Sequence, residues 1–266
     1  MLRVPLKVVL DDEDPRQASV FVELQVDGQP VEALLDSGAA RSAILERPDL
    51  TPWVVRDPST GVFGVHADQQ HAQVAVRFAG QDLGSIDVEV VPGDHGAHGA
   101  LVGQDVLSRF RCEYRLGDAV LILDGNLPQP AHPIHVGLRR HVYLPVTWPT
   151  GESADAVFDT GASVTVVDQR FAAQHPRLFT HEGVSEGTDS TGTVLQVPMA
   201  QMSAVHLLGA EFGPSLAAVV DLSAANAIID RRMDLILGWP LLSQGAFVID
   251  HHQQLASYRP AALPVC

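Results

Sequence analysis

The sequence predicts an all-β protein made of two homologous lobes, and three observations support this fold class. Short runs of alternating apolar and polar residues end at turn signals, helical periodicity is scarce, and one arrangement of strands, turn and aspartate occurs twice along the 266 residues. An apolar content of 46% is enough to build a large core. We therefore expect a β-rich molecule with internal pseudo-symmetry and only a few short helices.

The first elements of each half have the same layout. Residues 21–26 alternate, Asp27-Gly28 is a hairpin signal, and residues 31–35 return as a second strand. The corresponding strand, turn and strand of the second half are residues 142–148, 149–151 and 154–158. Each half is thus predicted to begin with a β-hairpin whose second strand leads directly into an aspartate.

The remaining elements are weaker signals. Short helices are expected at residues 105–108 and 168–174, where the strand pattern is interrupted. Residues 126–136 are rich in proline and lack periodicity, which is typical of a linker. The predicted division is an N-terminal lobe at 1–125 and a C-terminal lobe at 137–266.

Glycines give the repeat its register. Gly28, Asp36 and Gly64 recur as Gly151, Asp159 and Gly187, each 123 positions later. The later pairs, Gly80 with Gly209 and Gly103 with Gly238, are further apart, and this drift predicts two insertions of six residues in the second half. Insertions of that size suit surface loops.

The repeated motif is Asp-Ser-Gly-Ala at 36–39 and Asp-Thr-Gly-Ala at 159–162, each after an apolar run. Two carboxyls at a twofold axis would lie about 3 Å apart, so they cannot both ionise easily and would share one proton. The hydroxyls of Ser37 and Thr160 can hold the opposite loop in place. Gly38 and Gly161 allow the backbone to approach the carboxyls without a Cβ.

These residues resemble the retropepsin-like aspartic proteases, here as a single chain with two fused half-sites. The resemblance rests on both motifs and on an apolar-apolar-Gly segment later in each half, at 100–107 and 235–242. It implies a bilobal acid-protease fold with pseudo-twofold symmetry, and segments around Gly103 and Gly238 that brace the aspartate loops. It also implies a β-hairpin flap over the cleft in each lobe, with these flap and substrate-binding residues: Gly64, Val65, His66, Gly187, Thr188 and Asp189.

One departure from the family pattern concerns the second bracing segment. Trp239-Pro240 follows Gly238, whereas Gln104-Asp105 follows Gly103 and the family has a polar residue after this glycine. We therefore expect the second lobe to lack side-chain bracing hydrogen bonds that the first lobe has. The carboxylate of the second lobe is unaffected by this difference.

The function that follows is an aspartic endopeptidase that hydrolyses peptide bonds with a water activated by Asp36 and Asp159. This mechanism requires no metal and no cofactor. The alternative is a catalytically silent peptide-binding or adaptor module on the same fold, because a fold does not guarantee chemistry. Since both half-sites lie in one chain, a monomer acting on peptide or protein substrates is expected.

Charge and composition argue against other classes. A formal net charge of −15 disfavours nucleic acid and anionic membranes as partners, and the acidic run at 11–14 is interpreted as a solvated loop. Neither a signal peptide nor a membrane span is visible, so the expected location is cytoplasmic. Cys112 and Cys266 do not suggest a disulfide framework, and the twelve histidines show no spacing that supports a metal site.

Overall fold

The computed structural model describes residues 1–55, 59–60, 65–66, 69–92, 99–188 and 194–261. Its architecture is all-β with a few short helices, as predicted. Within the described residues, no helix is both long enough and apolar enough to cross a lipid bilayer.

The N-terminal half is built almost entirely of strands. Its helical segments are α1 (Gln104–Leu107) and a 3₁₀ turn at Leu116–Asp118. Its strands are β1 (Leu2–Pro5), β2 (Lys7–Leu10), β3 (Ala18–Val26), β4 (Gln29–Leu35), β5 (Ala43–Leu45), β6 (Trp53–Val55), β7 (Ser59–Thr60), β8 (Val65–His66), β9 (Gln69–Phe78), β10 (Gln81–Val91), β11 (Leu101–Val102), β12 (Arg111–Arg115) and β13 (Val120–Leu123).

The C-terminal half repeats this plan with more helix. It contains α2 (Gln169–Gln174), a 3₁₀ turn at Pro176–Leu178, α3 (Ser223–Asn226) and α4 (Trp239–Leu242). Its strands are β14 (His132–Pro133), β15 (His135–Val136), β16 (Val142–Thr147), β17 (Ser153–Phe158), β18 (Thr165–Asp168), β19 (Phe179–Thr188), β20 (Val194–Met202), β21 (Val205–Leu207), β22 (Ala210–Phe212), β23 (Ser215–Val220), β24 (Leu235–Leu237), β25 (Gly245–Asp250) and β26 (Leu255–Pro260).

The strand pairing shows the internal repeat directly. In the first half β4 pairs parallel with β11, β11 antiparallel with β5, and β5 parallel with β10. In the second half β17, β24, β18 and β23 pair in the same order and with the same polarity. A further sheet, in the order β1-β13-β12-β25-β26-β14, contains strands from both halves. The two sets of strands that carry the aspartates are therefore joined by a shared sheet.

Local sequence explains the hairpins. The buried and exposed residues of β3 alternate, and Asp27 and Gly28 both have positive φ angles, +50° and +79°. That geometry is the type I′ turn whose twist matches antiparallel strands. The turns at Ala79-Gly80 and Leu208-Gly209 have nearly the same pairs of angles, which supports the correspondence of Gly80 with Gly209 inferred from sequence.

The two helices expected from sequence are present as α1 and α2. The first residue of the predicted second helix, Asp168, is its N-cap: the carboxylate accepts hydrogen bonds from the backbone N–H of Arg170 and Phe171 at 2.7 and 3.3 Å. The helix α4, which was not expected, follows Gly238 as α1 follows Gly103.

The interpretation of the two insertions as plain surface loops is wrong. The first insertion lies between β18 and β19 and forms α2 and the 3₁₀ turn at Pro176–Leu178. The second lies between β23 and β24 and contains α3. Phe171 and Leu178 are buried in the first insertion and Ala225 in the second, so these segments pack against the sheet.

The offset of 123 positions does not continue into the hairpins that follow. Glu89 beside Ala43 pairs with His71, and Ala218 beside Val166 pairs with Met199, so His71 corresponds to Met199, which lies at a larger offset. Gly187 lies in β19, and Gly64 lies outside the described residues. The offset changes because the first insertion precedes the hairpin, between β18 and β19.

Aromatic side chains link the halves in the core. The rings of Tyr114 and Phe158 have centroids 5.1 Å apart, and those of Phe158 and Phe247 are 5.7 Å apart. Phe158 is fully buried and immediately precedes Asp159. Cys112 is buried beside these residues as a free thiol. Packing of this kind fixes the position of the strand that leads into the second aspartate.

The segment 126–136, predicted as a linker, contributes two short strands. Within it β14 pairs with β26 and β15 pairs with β16. The division of the chain into lobes on either side of this segment stays a prediction.

Candidate active site

Asp36 and Asp159 occupy equivalent places at the ends of β4 and β17. The backbone N–H of Asp36 donates to the carbonyl of Val102 at 3.0 Å, and that of Asp159 donates to the carbonyl of Leu237 at 3.2 Å. These acceptors belong to the parallel neighbours β11 and β24. Each aspartate is therefore held at the point where a central strand leaves its sheet.

The fold brings the two carboxyl groups together although the residues are far apart along the chain. The backbone N–H of Gly38 lies 2.9 Å from Oδ1 of Asp36 and 3.2 Å from Oδ1 of Asp159. The two side chains are also in hydrogen-bonding contact with each other. One backbone donor is thus shared between both carboxyls, at the junction of the two halves.

The surroundings raise the pKa of both carboxyls, but by different means. Burial, followed by the nearby charge of Asp159, raises the pKa of Asp36 well above its usual value. Burial also raises the pKa of Asp159, while backbone donors from Gly161, Gly38 and Ala162 oppose that rise. Asp36 receives backbone hydrogen bonds from Gly38 and Ala39. Burial therefore disfavours ionisation of both carboxyls at once, so the pair tends to hold one proton between them.

The hydroxyls of Ser37 and Thr160 cross-link the two aspartate loops. The backbone N–H of Ser37 donates to Oγ1 of Thr160 at 3.0 Å, and that hydroxyl donates to the carbonyl of Leu35 at 2.6 Å. Reciprocally, the N–H of Thr160 donates to Oγ of Ser37 at 2.9 Å, and this hydroxyl donates to the carbonyl of Phe158 at 3.0 Å. Four buried hydrogen bonds thereby fix one loop against the other.

The glycines of both motifs stand where a side chain would displace a carboxyl. A Cβ at Gly38 would overlap the carboxyl group of Asp159. A Cβ at Gly161 would lie 2.6 Å from Cγ of Asp36. Because the backbone approaches so closely from both sides, only glycine allows the two carboxyls to meet.

A family model described as retroviral aspartyl protease matches residues 16–115. Over these residues the chain is similar to the retropepsin-like aspartic proteases. The resemblance inferred from the motifs is thereby confirmed. A search of curated proteins found no match.

The bracing segments differ between the two halves of this retropepsin-like fold. In the first half the side chain of Gln104 donates to the carbonyl of Ser37 at 2.7 Å, and Oδ1 of Asp105 accepts from both the N–H and the hydroxyl of Ser42. In the second half the corresponding side chains are Trp239 and Pro240. There Gly238 donates its N–H to Oγ1 of Thr165 at 3.2 Å.

Both bracing glycines have the same steric role. A Cβ at Gly103 would lie 2.6 Å from the backbone carbon of Arg41, and a Cβ at Gly238 would overlap the backbone of Val164. The backbone hydrogen bonds are also equivalent, because Gln104 donates to Ala39 and Trp239 donates to Ala162 at similar distances. The expected asymmetry is therefore confined to side-chain hydrogen bonds.

Asp36 and Asp159 form the floor of a cavity of about 1170 Å³. Its walls come from both halves, and the hairpins that carry the predicted flaps contribute Gln69, Gln70, Ser185, Glu186 and Gly187. This volume accommodates several residues of an extended peptide. Of the other predicted flap residues, Val65 and His66 lie in β8 and Thr188 lies in β19, whereas Gly64 and Asp189 lie outside the described residues.

Two loops of opposite charge border the retropepsin-like cleft. Asp11 and Asp12, from the loop after β2, line one side, and Arg139 and Arg140, from the loop after β15, line another. The acidic loop is exposed, as its interpretation as a solvated segment implied, and it also reaches the cavity. Arg16 at its end forms an ion pair of 2.8 Å with Glu182 on β19.

Sequence reasoning did not identify His141, which lies near the carboxyls. The repeat gives no signal for it, because the residue one repeat earlier is Ala18 and carries no comparable chemistry. The side chain of His141 forms a hydrogen bond with the backbone of Gly38, and burial lowers its pKa below the usual value. Within the described ranges, no cluster of three or more His, Cys, Asp or Glu side chains could hold a metal ion.

Proposed function

We propose that this protein is an aspartic endopeptidase in which Asp36 and Asp159 act together on one water molecule. The observation that supports the proposal is the pair of carboxyls that share the N–H of Gly38 at the floor of an open cavity. Neither aspartate forms an ion pair with a cation among the described residues. The pair is therefore available to hold a water and to exchange protons with it.

The surroundings assign a role to each carboxyl. Asp159, whose raised pKa is opposed by hydrogen bonds from the backbone of Gly161 and Gly38, is the ionised base that takes a proton from the water as it attacks the peptide carbonyl. Asp36, which keeps the shared proton, donates a hydrogen bond and then the proton to the carbonyl oxygen. The resulting gem-diol collapses when its hydroxyl returns a proton to Asp36 and the proton on Asp159 moves to the leaving amine.

This mechanism predicts a bell-shaped dependence of kcat/KM on pH. Activity requires that the pair holds one proton, so it declines when a second proton is added and when the last one is lost. Because burial raises the pKa of both carboxyls, both limbs should lie at higher pH than two unperturbed aspartates would give.

The decisive test is replacement of each aspartate by asparagine, which preserves size but removes the shared proton. Asp36→Asn and Asp159→Asn should each lower cleavage of a mixed peptide library by about a thousandfold or more. Asp118→Asn, at an exposed position in the 3₁₀ turn after β12, is the matched control and should cleave as the unaltered protein does. A statine-type mimic of the gem-diol should inhibit the unaltered protein.

The outcome also distinguishes the alternative of a silent binding module. Saturable binding of peptides without any products would contradict the proposal and support that module. Near-normal turnover by either asparagine variant would equally exclude the two-carboxyl mechanism.

A further inference from the structure

The two halves place chemically different side chains at equivalent positions around the cavity. The equivalence follows from strand register: Ala43 pairs with Glu89 and with Leu101, just as Val166 pairs with Ala218 and with Ile236. The next strand continues the match, because Glu89 pairs with His71 and Ala218 pairs with Met199. Five pairs of equivalent residues differ in character: Arg41 and Val164, Gln69 and Val197, His71 and Met199, Asp87 and Leu216, and Glu89 and Ala218.

In the first half these side chains form a polar surface, which we call the N-terminal wall (Arg41, Gln69, His71, Asp87 and Glu89). Nδ1 of His71 is 2.9 Å from Oδ1 of Asp87, and Nε2 of the same ring is 3.0 Å from Oε1 of Gln69. Nη1 of Arg41 donates to Oδ2 of Asp87 at 2.7 Å. A continuous row of hydrogen bonds therefore runs from Gln69 to Arg41.

The row is built into the fold and is more than a surface feature. His71 is 1% exposed, and the ring of Trp53 on β6 lies 6.2 Å from it. Buried polar side chains are retained only when hydrogen-bonded, and each nitrogen of this ring has a partner. The ends of the row, Arg41 and Gln69, line the cavity together with Glu89.

In the second half the equivalent side chains form an apolar surface, which we call the C-terminal wall (Val164, Val197, Met199, Leu216 and Ala218). Val197, Met199, Leu216 and Ala218 are all buried in one hydrophobic cluster, against which Val164 packs. Val164, Val197, Met199 and Ala218 line the same cavity as Arg41 and Gln69.

The floor between the walls does not share this asymmetry. Leu34 and Val157 are equivalent and apolar, as are Leu101 and Ile236, and all four line the cavity. The chemical difference between the halves is therefore concentrated at the walls.

We propose that this cleft selects peptides that carry an amide side chain, Asn or Gln, against the N-terminal wall and a large apolar side chain against the C-terminal wall. This inference rests on the proposed function, because the carboxyl pair then lies between the two recognition surfaces. The substrates are thus asymmetric about the cleaved bond, although the two halves of the fold are equivalent.

The chemistry of each wall determines its ligand. The N-terminal wall presents to the cavity two donors, the guanidinium of Arg41 and the amide of Gln69, beside the carboxylate of Glu89. An amide side chain offers both a donor and an acceptor, whereas a charged side chain of either sign would meet one like charge. An apolar side chain would displace water from these polar groups and offer no hydrogen bond in its place. The side chains of the C-terminal wall are all apolar, so it favours apolar surface.

The test is the cleavage profile of a randomised peptide library, read by mass spectrometry. The unaltered protein should enrich Asn and Gln on one side of the cleaved bond and Leu, Met or Phe on the other. Arg41→Val gives the first half the residue of the second, and it should reduce the preference for amides by about tenfold and shift it toward apolar side chains. The reciprocal Val164→Arg should weaken the apolar preference on the other side by a similar factor.

Two further variants make the result interpretable. Arg177→Val removes an exposed arginine outside the cavity and should leave the profile unchanged. If Arg41→Val does not fold, Gln69→Val, which copies Val197, should reduce the same amide preference. The same side-chain class on both sides of the cleaved bond, or an unchanged profile in the folded wall variants, would overturn the inference.

A binding measurement tests the inference about the two walls even if the protein proves not to be a peptidase. If no peptide is cleaved, the affinities of two labelled peptides are compared by fluorescence anisotropy, one with an amide and an apolar side chain flanking the central bond and one with two apolar side chains. If the peptide with one amide and one apolar side chain binds about tenfold more tightly, the two walls select their ligands as inferred, although the protein does not cleave them. Equal affinities, or no binding of either, would overturn the inference.

Discussion

Asp36 and Asp159 keep two carboxyl groups in contact at a buried site, and this arrangement destabilises the folded chain. Burial and mutual repulsion oppose ionisation, so the pKa of each carboxyl is raised on folding. The surrounding hydrogen bonds of the loops hold the pair together in spite of this cost. Residues that lower the stability of a fold in this way are often those that a functional site requires.

The sign of this effect can be tested with Asp36→Asn. An unfolded aspartate loses its proton near pH 3.9, but folded Asp36 retains it to a higher pH, so the free energy of unfolding falls as pH rises through that interval. Asparagine cannot ionise, so the free energy of unfolding of the variant does not fall in this way. It should match the unaltered protein below about pH 4 and be more stable at neutral pH, by about 1.4 kcal/mol for each unit of pKa elevation removed.

Urea unfolding at a series of pH values measures this difference. Asp118→Asn, whose side chain is exposed, serves as the control at each pH. If Asp36→Asn is less stable than the unaltered protein at neutral pH, burial and repulsion between the two carboxyls do not destabilise the fold as described.

At the scale of elements, the two aspartate loops form one unit through the hydroxyls of Ser37 and Thr160. Each hydroxyl both accepts from and donates to the backbone of the opposite loop, so removal of one affects both halves. The bracing segments add backbone hydrogen bonds from outside. The position of the carboxyls therefore depends on contacts that only the assembled loops provide.

Thr160→Val tests this unit, because valine keeps the shape of threonine but lacks the hydroxyl. The N–H of Ser37 and the carbonyl of Leu35 would be left buried without their partner, which should lower the free energy of unfolding by about 2 to 4 kcal/mol. Peptide cleavage should fall as the carboxyls lose alignment. Thr160→Ser keeps the hydroxyl, as in the first half, and should restore most of both properties.

Denaturant unfolding and kcat/KM on one peptide substrate measure the two effects. Stability and turnover of Thr160→Val equal to those of the unaltered protein would show that the loops do not rely on this hydroxyl.

At the scale of the whole molecule, both aspartate loops belong to one chain, and a shared sheet joins the halves. Its central pairing is between β12 and β25, where Arg111 on one strand and Asp250 on the other form an ion pair of 2.7 Å. A covalent connection makes the meeting of the two loops intramolecular and independent of protein concentration.

We therefore expect a monomer that is active at any dilution. Turnover per protein molecule should stay constant when the protein is diluted over several orders of magnitude, and sedimentation should place the activity in the monomer. Loss of specific activity on dilution, or activity confined to a dimer fraction, would show that a second chain completes the site.

The all-β class, the repeat, the short helix from Asp168 and the two aspartate motifs could be derived from sequence because each is a local signal. Turn residues, strand alternation and helix caps act over a few positions, and duplication repeats them in register. The flap register could not be derived in this way. Its error came from an inserted helix and 3₁₀ turn whose position relative to the hairpin no local pattern reveals.

The amino-acid sequence by itself thus determined which residues carry the carboxyls, the hydroxyls and the close-approach glycines. Only the tertiary structure decided that Gly38 donates to both carboxyls and that polar residues of the first half and apolar residues of the second line the same cavity. The reason is physical: these properties depend on pairing between strands distant in the chain, such as β5 with β10 and β18 with β23, and such pairing is set by packing of the whole core.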